Sequence, residues 1–133
     1  MSGAVIDTHA LIWYLQKDTR LSAKAFQAIE TCRLDGIRIW VPGICIVEMT
    51  YLCEKNRIPN GILAEARKAI AATDSVLQIA PLDNAVLDAL VFVPRSSVPD
   101  MPDRIIAATA FAAKLPLISR DAKIQMSAIA TIW

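Results

Sequence analysis

Histidine is nearly absent from this 133-residue chain: His9 stands alone. That excludes a histidine-rich zinc centre, though not a single catalytic histidine. Cysteine is scarce as well. Cys32, Cys45 and Cys53 are odd in number and lack metal-ligand spacing. They read as free thiols in a reducing compartment, packed rather than bridged. No apolar run approaches a membrane span; the longest, at 39–47 and 105–113, are broken by Pro42 and Thr109. The opening MSGAVIDTHA has no basic region and no long apolar segment, so no signal peptide is expected and the cytoplasm is the expected compartment. Internal repeats, linkers and low-complexity stretches are missing. One domain over residues 1–133 is expected, long enough to bury a core.

What is present is apolar content and unevenly placed charge. The hydrophobic fraction is 55% and mean hydropathy is +0.42. Such a surplus suggests a buried parallel sheet and an oligomer or obligate partner. The net charge of +1 hides a pattern: if Asp7, Glu48, Asp100, Asp103 and Asp121 converge, the 14 Lys and Arg outside that set face only the rest of the 13 acids. An acidic pit in a basic surround suits a polyanionic substrate cut at a metal site.

The pattern alternates strand and helix. Ala4–Asp7 is a short apolar strand, and 8–16 reads as a helix. Ser22 caps a second helix running to about Cys32. After Gly36, the β-branched segment 37–41 reads as a strand that Pro42-Gly43 ends. Helices follow over 44–55 and, opened by Pro59, to about Ala72. A strand over 76–80, a short helix over 84–92 and a proline-containing loop over 93–102 come next. The rest reads as a helix over 103–114, a strand over 116–119, a helical turn over 122–126 and a last strand over 128–133. Alternation of this kind predicts a parallel α/β sheet with helices on both faces.

Four carboxylates carry the chemistry. Asp7 follows Val5-Ile6 directly and precedes a helix, so an ordinary N-cap accounts for it equally well. Asp100 can cap the next long helix, with Asp103 as its third residue and Pro102 tolerated in the first turn. Asp121 follows the strand-like Leu117-Ile118-Ser119 and can cap as well. Glu48 differs. Ile44, Val47, Tyr51 and Leu52 flank it at helical spacing, so it falls inside an apolar stripe. A carboxylate buried there costs several kcal/mol unless it is protonated or bound to a cation. In an alternating fold the strand-to-helix junctions gather on one rim of the sheet. Carboxylates ~4 Å apart repel by about 4 kcal/mol at an effective dielectric of about 20. Arg104 and Arg120 could neutralise two charges; a divalent cation with oxygen ligands does so better, and such a donor set favours Mg²⁺ or Mn²⁺ over zinc.

These segments resemble a known family. Val5-Ile6-Asp7-Thr8-His9-Ala10-Leu11-Ile12-Trp13 resembles the opening motif of PIN-domain nucleases, particularly the VapC-type ribonuclease toxins of toxin–antitoxin pairs. Val47-Glu48-Met49 resembles their central glutamate segment. The run Pro102-Asp103-Arg104-Ile105-Ile106-Ala107-Ala108-Thr109-Ala110 resembles the third motif, and Leu115-Pro116-Leu117-Ile118-Ser119-Arg120-Asp121 the fourth. The resemblance covers essentially the whole chain, in order. It implies a PIN-like three-layer α/β/α sandwich with a central sheet of about five parallel strands. It implies a Mg²⁺- or Mn²⁺-dependent endoribonuclease whose metal site is Asp7, Glu48, Asp103 and Asp121. Asp100, Thr8 and Ser119 would support that site. A small antitoxin, an RNA substrate and a homodimer are the implied partners. Two departures stand out: Cys45 occupies the place of a frequent serine, and the segment before Asp103 lacks the histidine of some relatives.

Other readings meet specific obstacles. A receiver-type module needs an acceptor aspartate after a middle strand, where Pro42-Gly43 stands. A haloacid-type phosphatase needs a second aspartate where His9 stands. An idle RNA-binding module gains nothing from four acids that repel phosphate, and a housekeeping PIN nuclease differs from a toxin only in lacking an antitoxin. Arg104 and Arg120, each beside a candidate ligand, are the best placed of the cations to meet RNA. Packing is the expected role of Trp13, Tyr14, Trp40 and Trp133, and local contacts that of His9.

Overall fold

The computed structural model describes residues 3–125 and 127–133. Met126, the expected end of the helical turn, lies outside the described residues, as do Met1 and Ser2 of the N-terminal reading. Strand β1 (Ala4–Ile6) leads into α1 (Thr8–Gln16), then α2 (Ala23–Asp35), β2 (Ile39–Pro42), α3 (Gly43–Glu54) and α4 (Asn60–Ala71). The chain continues with β3 (Leu77–Ala80), α5 (Asn84–Ala89), a 3-10 turn (Leu90–Phe92), α6 (Met101–Ala113), β4 (Leu117–Ile118), α7 (Ala122–Gln125) and β5 (Thr131–Ile132).

The strands form one five-stranded sheet, order β3-β2-β1-β4-β5, with every pair parallel. Val5 lies opposite Trp40 on one side and Leu117 on the other, so β1 is the central strand. Both faces of β1 are covered: Val5 and Ile6 are wholly buried. A strand buried on both sides must read as a continuous apolar run, which it does. The chain steps outward from β1 to β2 to β3, then crosses back to β4. With right-handed crossovers, that reversal puts the intervening helices on opposite faces. Accordingly α1, α3 and α4 pack on one another, while α6 packs on β1 and β2 with α5 against it, and α3 also meets α6. No helix among the described residues is long and apolar enough to cross a membrane.

Local chemistry places the helix ends. Asp7 accepts a hydrogen bond from the Ala10 N–H at 2.9 Å and caps α1; Ser22 does the same for α2 from Ala25 at 3.0 Å. Helix α2 runs past Cys32 to Asp35 and stops at Gly36, whose φ of 67° is left-handed. Helix α6 begins at Met101, two residues before the 103–114 span but where the capping reading of Asp100 puts it: Asp100 accepts from the N–H of Asp103, the third helical residue, at 3.3 Å. The last strand is shorter than expected, pairing only over Thr131–Ile132.

Arg104 departs from its expected role. Its Nε donates to the Val93 carbonyl at 2.7 Å and its guanidinium NH2 to the Leu90 carbonyl at 3.0 Å. It ties the end of the 3-10 turn to α6 instead of facing the acids. Arg104→Leu leaves both carbonyls without that cationic donor and should lower stability by about 1.5–3 kcal/mol, read from urea denaturation.

Candidate active site

The parallel sheet sets where the acids go. Asp7 follows β1 and Asp121 comes soon after β4, its central neighbour. These strands flank the switch point, where the chain leaves β1 towards β2 but returns to β4, and a crevice opens beyond their carboxyl ends. Helix α6 runs back towards β4, so its first turn, with Asp103, lies at the same rim. Helix α3 leaves β2 at that rim and carries Glu48 one and a half turns in. Asp7, Thr8, His9, Trp13, Glu48, Asp103, Arg120 and Asp121 line one cavity of about 260 Å³. Residues 114 apart in sequence thus share one small space.

Each acid has its own support. Glu48 Oε1 accepts from the Thr8 hydroxyl at 2.5 Å, a link from the first residue of α1 to the middle of α3. Asp121 Oδ1 accepts from the N–H groups of Lys123 at 2.8 Å and Ile124 at 3.1 Å. The fully buried Ser119 accepts from the Asp121 N–H at 3.0 Å, and its hydroxyl also serves Asp7. Cys45 is fully buried and donates its S–H to the Ile6 carbonyl at 3.7 Å. Burial pushes its thiol far above the usual range, so it remains a protonated packing group. The described cysteines are all free, with Cys53 buried like Cys45 and Cys32 partly so.

Glu48 is not sunk in the buried stripe that its neighbours suggest. The buried line of α3 is Cys45, Met49 and Cys53, at i, i+4 and i+8. Val47 and Tyr51 are 48% and 58% exposed while Ile44 and Leu52 pack half-buried against the core, so the stripe around Glu48 straddles the edge of the core and Glu48 is half-buried there. Asp100 caps α6 and is exposed; it lies outside the cavity lining but raises the pKa of Asp103 and Glu48 by its charge. His9 is exposed on the cavity wall, with its ring 5.7 Å from that of Trp13. Trp13, 5% exposed, packs in the core as expected but also forms part of the wall. Arg120 reaches the cavity by lying over Trp13, a pairing across 107 residues that no sequence spacing announces.

The electrostatics are those of crowded acids. Burial raises the pKa of Asp7 and Glu48, partly offset by the hydroxyls of Ser119 and Thr8. Asp103 is pushed up to about 8, first by burial, then by a hydrogen bond with Asp121 and the charges of Asp100, Asp121 and Glu48. The acids are gathered without being closed: among the described residues, no three His, Cys, Asp or Glu side chains stand in ready metal-binding geometry. The donors are carboxylate and hydroxyl oxygens, the chemistry of a hard divalent cation. Asp7, Glu48, Asp103 and Asp121 could hold one.

A parallel sheet with an acidic crevice at its switch point places the molecule among α/β proteins with a carboxylate-lined site. The chain belongs to the PIN domain family, whose model matches residues 4–130. It is similar to Ribonuclease VapC22 of Mycobacterium tuberculosis, with 29% identity covering 94% of this chain and 92% of that protein. Among solved structures it resembles VapBC2 from Rickettsia felis bound to a promoter DNA fragment (TM-score 0.73, 12% identity, 98% and 97% of the two chains). It also resembles a toxin–antitoxin complex from Klebsiella pneumoniae (TM-score 0.68, 21% identity, 98% and 97%).

The raised carboxylates fix a sign. Without metal, the folded site holds protons that the unfolded chain releases near pH 4, so the stability they contribute is lost as pH rises through their folded-state values. Metal-free protein in EDTA should therefore melt at a lower temperature at about pH 8 than at about pH 5. Saturating Mn²⁺ should flatten or reverse that trend, as differential scanning fluorimetry would register.

Proposed function

We propose that this chain is a metal-dependent endoribonuclease that hydrolyses RNA phosphodiesters, and the toxin of a toxin–antitoxin pair. The observation that carries the reading is the meeting of Asp7, Glu48, Asp103 and Asp121 in one cavity with no ion pair to any of them among the described residues. Unpaired carboxylates gathered at the switch point of the sheet suit a cation, and the all-oxygen set suits Mg²⁺ or Mn²⁺. When bound, such an ion supplies charge neutralisation and an acidified water. The chain's own residues orient the rest. The caps on Asp7 and Asp121 fix the direction of each carboxylate, since one oxygen is tied to backbone N–H groups. Thr8 holds Glu48 where it can orient the attacking water or take its proton. Ser119 steadies Asp7 from below. No serine or cysteine nucleophile is required, and the Cys45 thiol is too deeply buried for one.

RNA as the substrate rests on likeness to a named ribonuclease, and the antitoxin on likeness to toxin–antitoxin complexes. The homodimer rests on the exposed shelf of Val47, Tyr51 and Met101 (63% exposed) beside Glu48, an apolar surface that a second copy would cover. Free cysteines support a reducing compartment, the cytoplasm.

The partner-free chain, assayed on single-stranded and structured RNAs with Mg²⁺, Mn²⁺ or EDTA, should cleave only with metal. Cleavage that survives EDTA would sink the reading. Glu48→Gln should lower kcat by roughly a hundredfold or more while the fold holds. Thr8→Val, which leaves Glu48 without its hydroxyl partner, should cost about 10–100-fold in metal affinity or activity.

A further inference from the structure

Three arginines stand near the acidic rim, and what occupies their N–H groups sorts them. Arg104 has its donors on the Val93 and Leu90 carbonyls. Arg20 lies 5.0 Å from the Trp13 ring centroid, but its Nε and NH2 are engaged by Asp18, at 2.7 Å in the closest contact. Arg120 also lies on Trp13, at 4.6 Å, and lines the cavity with all four acids. Among the described residues it forms no ion pair with any of them; the pairs present are Arg20–Asp18 and Arg33–Glu30.

That arrangement has a chemical consequence. A guanidinium laid on an indole uses its π face for the contact. Its five N–H donors lie in the plane, at the edge, and stay available. The shelf beneath is firm. Trp13 is 5% exposed, and its ring is braced by His9 at 5.7 Å and Trp133 at 5.9 Å. Asp121, the next residue, has one carboxylate oxygen tied to the N–H groups of Lys123 and Ile124 and forms no ion pair with Arg120, and the Ser119 hydroxyl serves Asp7. Arg120 is therefore an exposed cation held over the Trp13 ring, beside acids with which it forms no ion pair.

The acids create the need for such a cation. A divalent ion that drives the protons off all four carboxylates lining the cavity still leaves two negative charges uncompensated, so a phosphate entering there meets net repulsion. A guanidinium at the wall offers the planar fork that matches two phosphate oxygens. Resting on the nuclease reading above, we propose that Arg120, held against Trp13, is the substrate-positioning residue that grips a phosphate of the RNA strand at the acidic cavity.

The test uses the full chain, Ca²⁺ in place of Mg²⁺ to slow cleavage, and a fluorescein-labelled single-stranded RNA read by anisotropy. Arg120→Gln should weaken RNA binding about tenfold or more. It should also lower the slope of log affinity against log salt by about 0.7, one phosphate contact on a single strand. Mn²⁺ affinity, measured by calorimetry, should stay the same or tighten. Arg120→Lys should restore charge but only part of the affinity, because it lacks the fork and the stacking plane. Arg67→Gln, an exposed cation on α4 that lines no part of the cavity, should leave the slope unchanged. An Arg120→Gln protein with wild-type affinity and slope overturns the proposal, as does one whose only change is a lower melting temperature. Metal-dependent cleavage by the wild type, assayed alongside, reads the nuclease assignment separately: its absence sinks that assignment, whereas an unaffected Arg120→Gln sinks only the arginine's role.

Discussion

Repulsion between carboxylates is the constraint on which the site turns, and the sheet is what withstands it. Among the described residues no arginine or lysine forms an ion pair with Asp7, Glu48, Asp103 or Asp121; the hydrogen bond between Asp103 and Asp121 and the charge of His9 near Asp7 and Glu48 offset only part of their repulsion. They meet because β1 is packed on both faces and because α1, α3 and α6 each present a particular residue to one rim. Burial energy in the core holds like charges within reach of one another. The raised pKa values of Asp7, Glu48 and Asp103 express that tension, and the hydroxyls of Thr8 and Ser119 relieve part of it.

A second theme is the division of labour among polar groups of the same type. Asp7, Asp100 and Asp121 all cap helices, but Asp7 and Asp121 also face the cavity and Asp100 does not. Capping and cavity lining are therefore not rival explanations: a cap fixes one oxygen and with it the direction of the carboxylate. The arginines divide in the same way. One braces a loop, one pairs with a surface acid, and one lies on an indole with its donors available.

The fold was legible because its signals are local. Apolar runs such as Val5-Ile6, the break at Pro42-Gly43 and the caps at Asp7, Ser22 and Asp100 each act within a few residues. Their order sufficed for a parallel α/β sheet, and four motifs in register sufficed for the PIN family. The Asp100 cap placed the start of α6 at Met101 better than the apolar pattern did, and a boundary slipped where pairing needed a partner, as in β5. The surroundings of Glu48 were misjudged for a related reason. Periodicity shows that Ile44, Val47, Tyr51 and Leu52 share a face, but not whether core or solvent lies opposite. Helix α3 has two apolar faces, and only packing against the sheet and neighbouring helices chose Cys45, Met49 and Cys53 for burial.

The sequence by itself determined the strand–helix alternation, the caps and the identity of the acids, because these depend on side-chain chemistry over one or two helical turns. Tertiary structure decided which groups share a cavity and which way each one points. The Thr8–Glu48 hydrogen bond, the Arg120–Trp13 stack and the withdrawal of Arg104 to two carbonyls join residues 11 to 107 positions apart. No local preference encodes them: they follow from crossovers that bring distant ends of the chain to the same rim, where packing leaves each side chain only one direction to go.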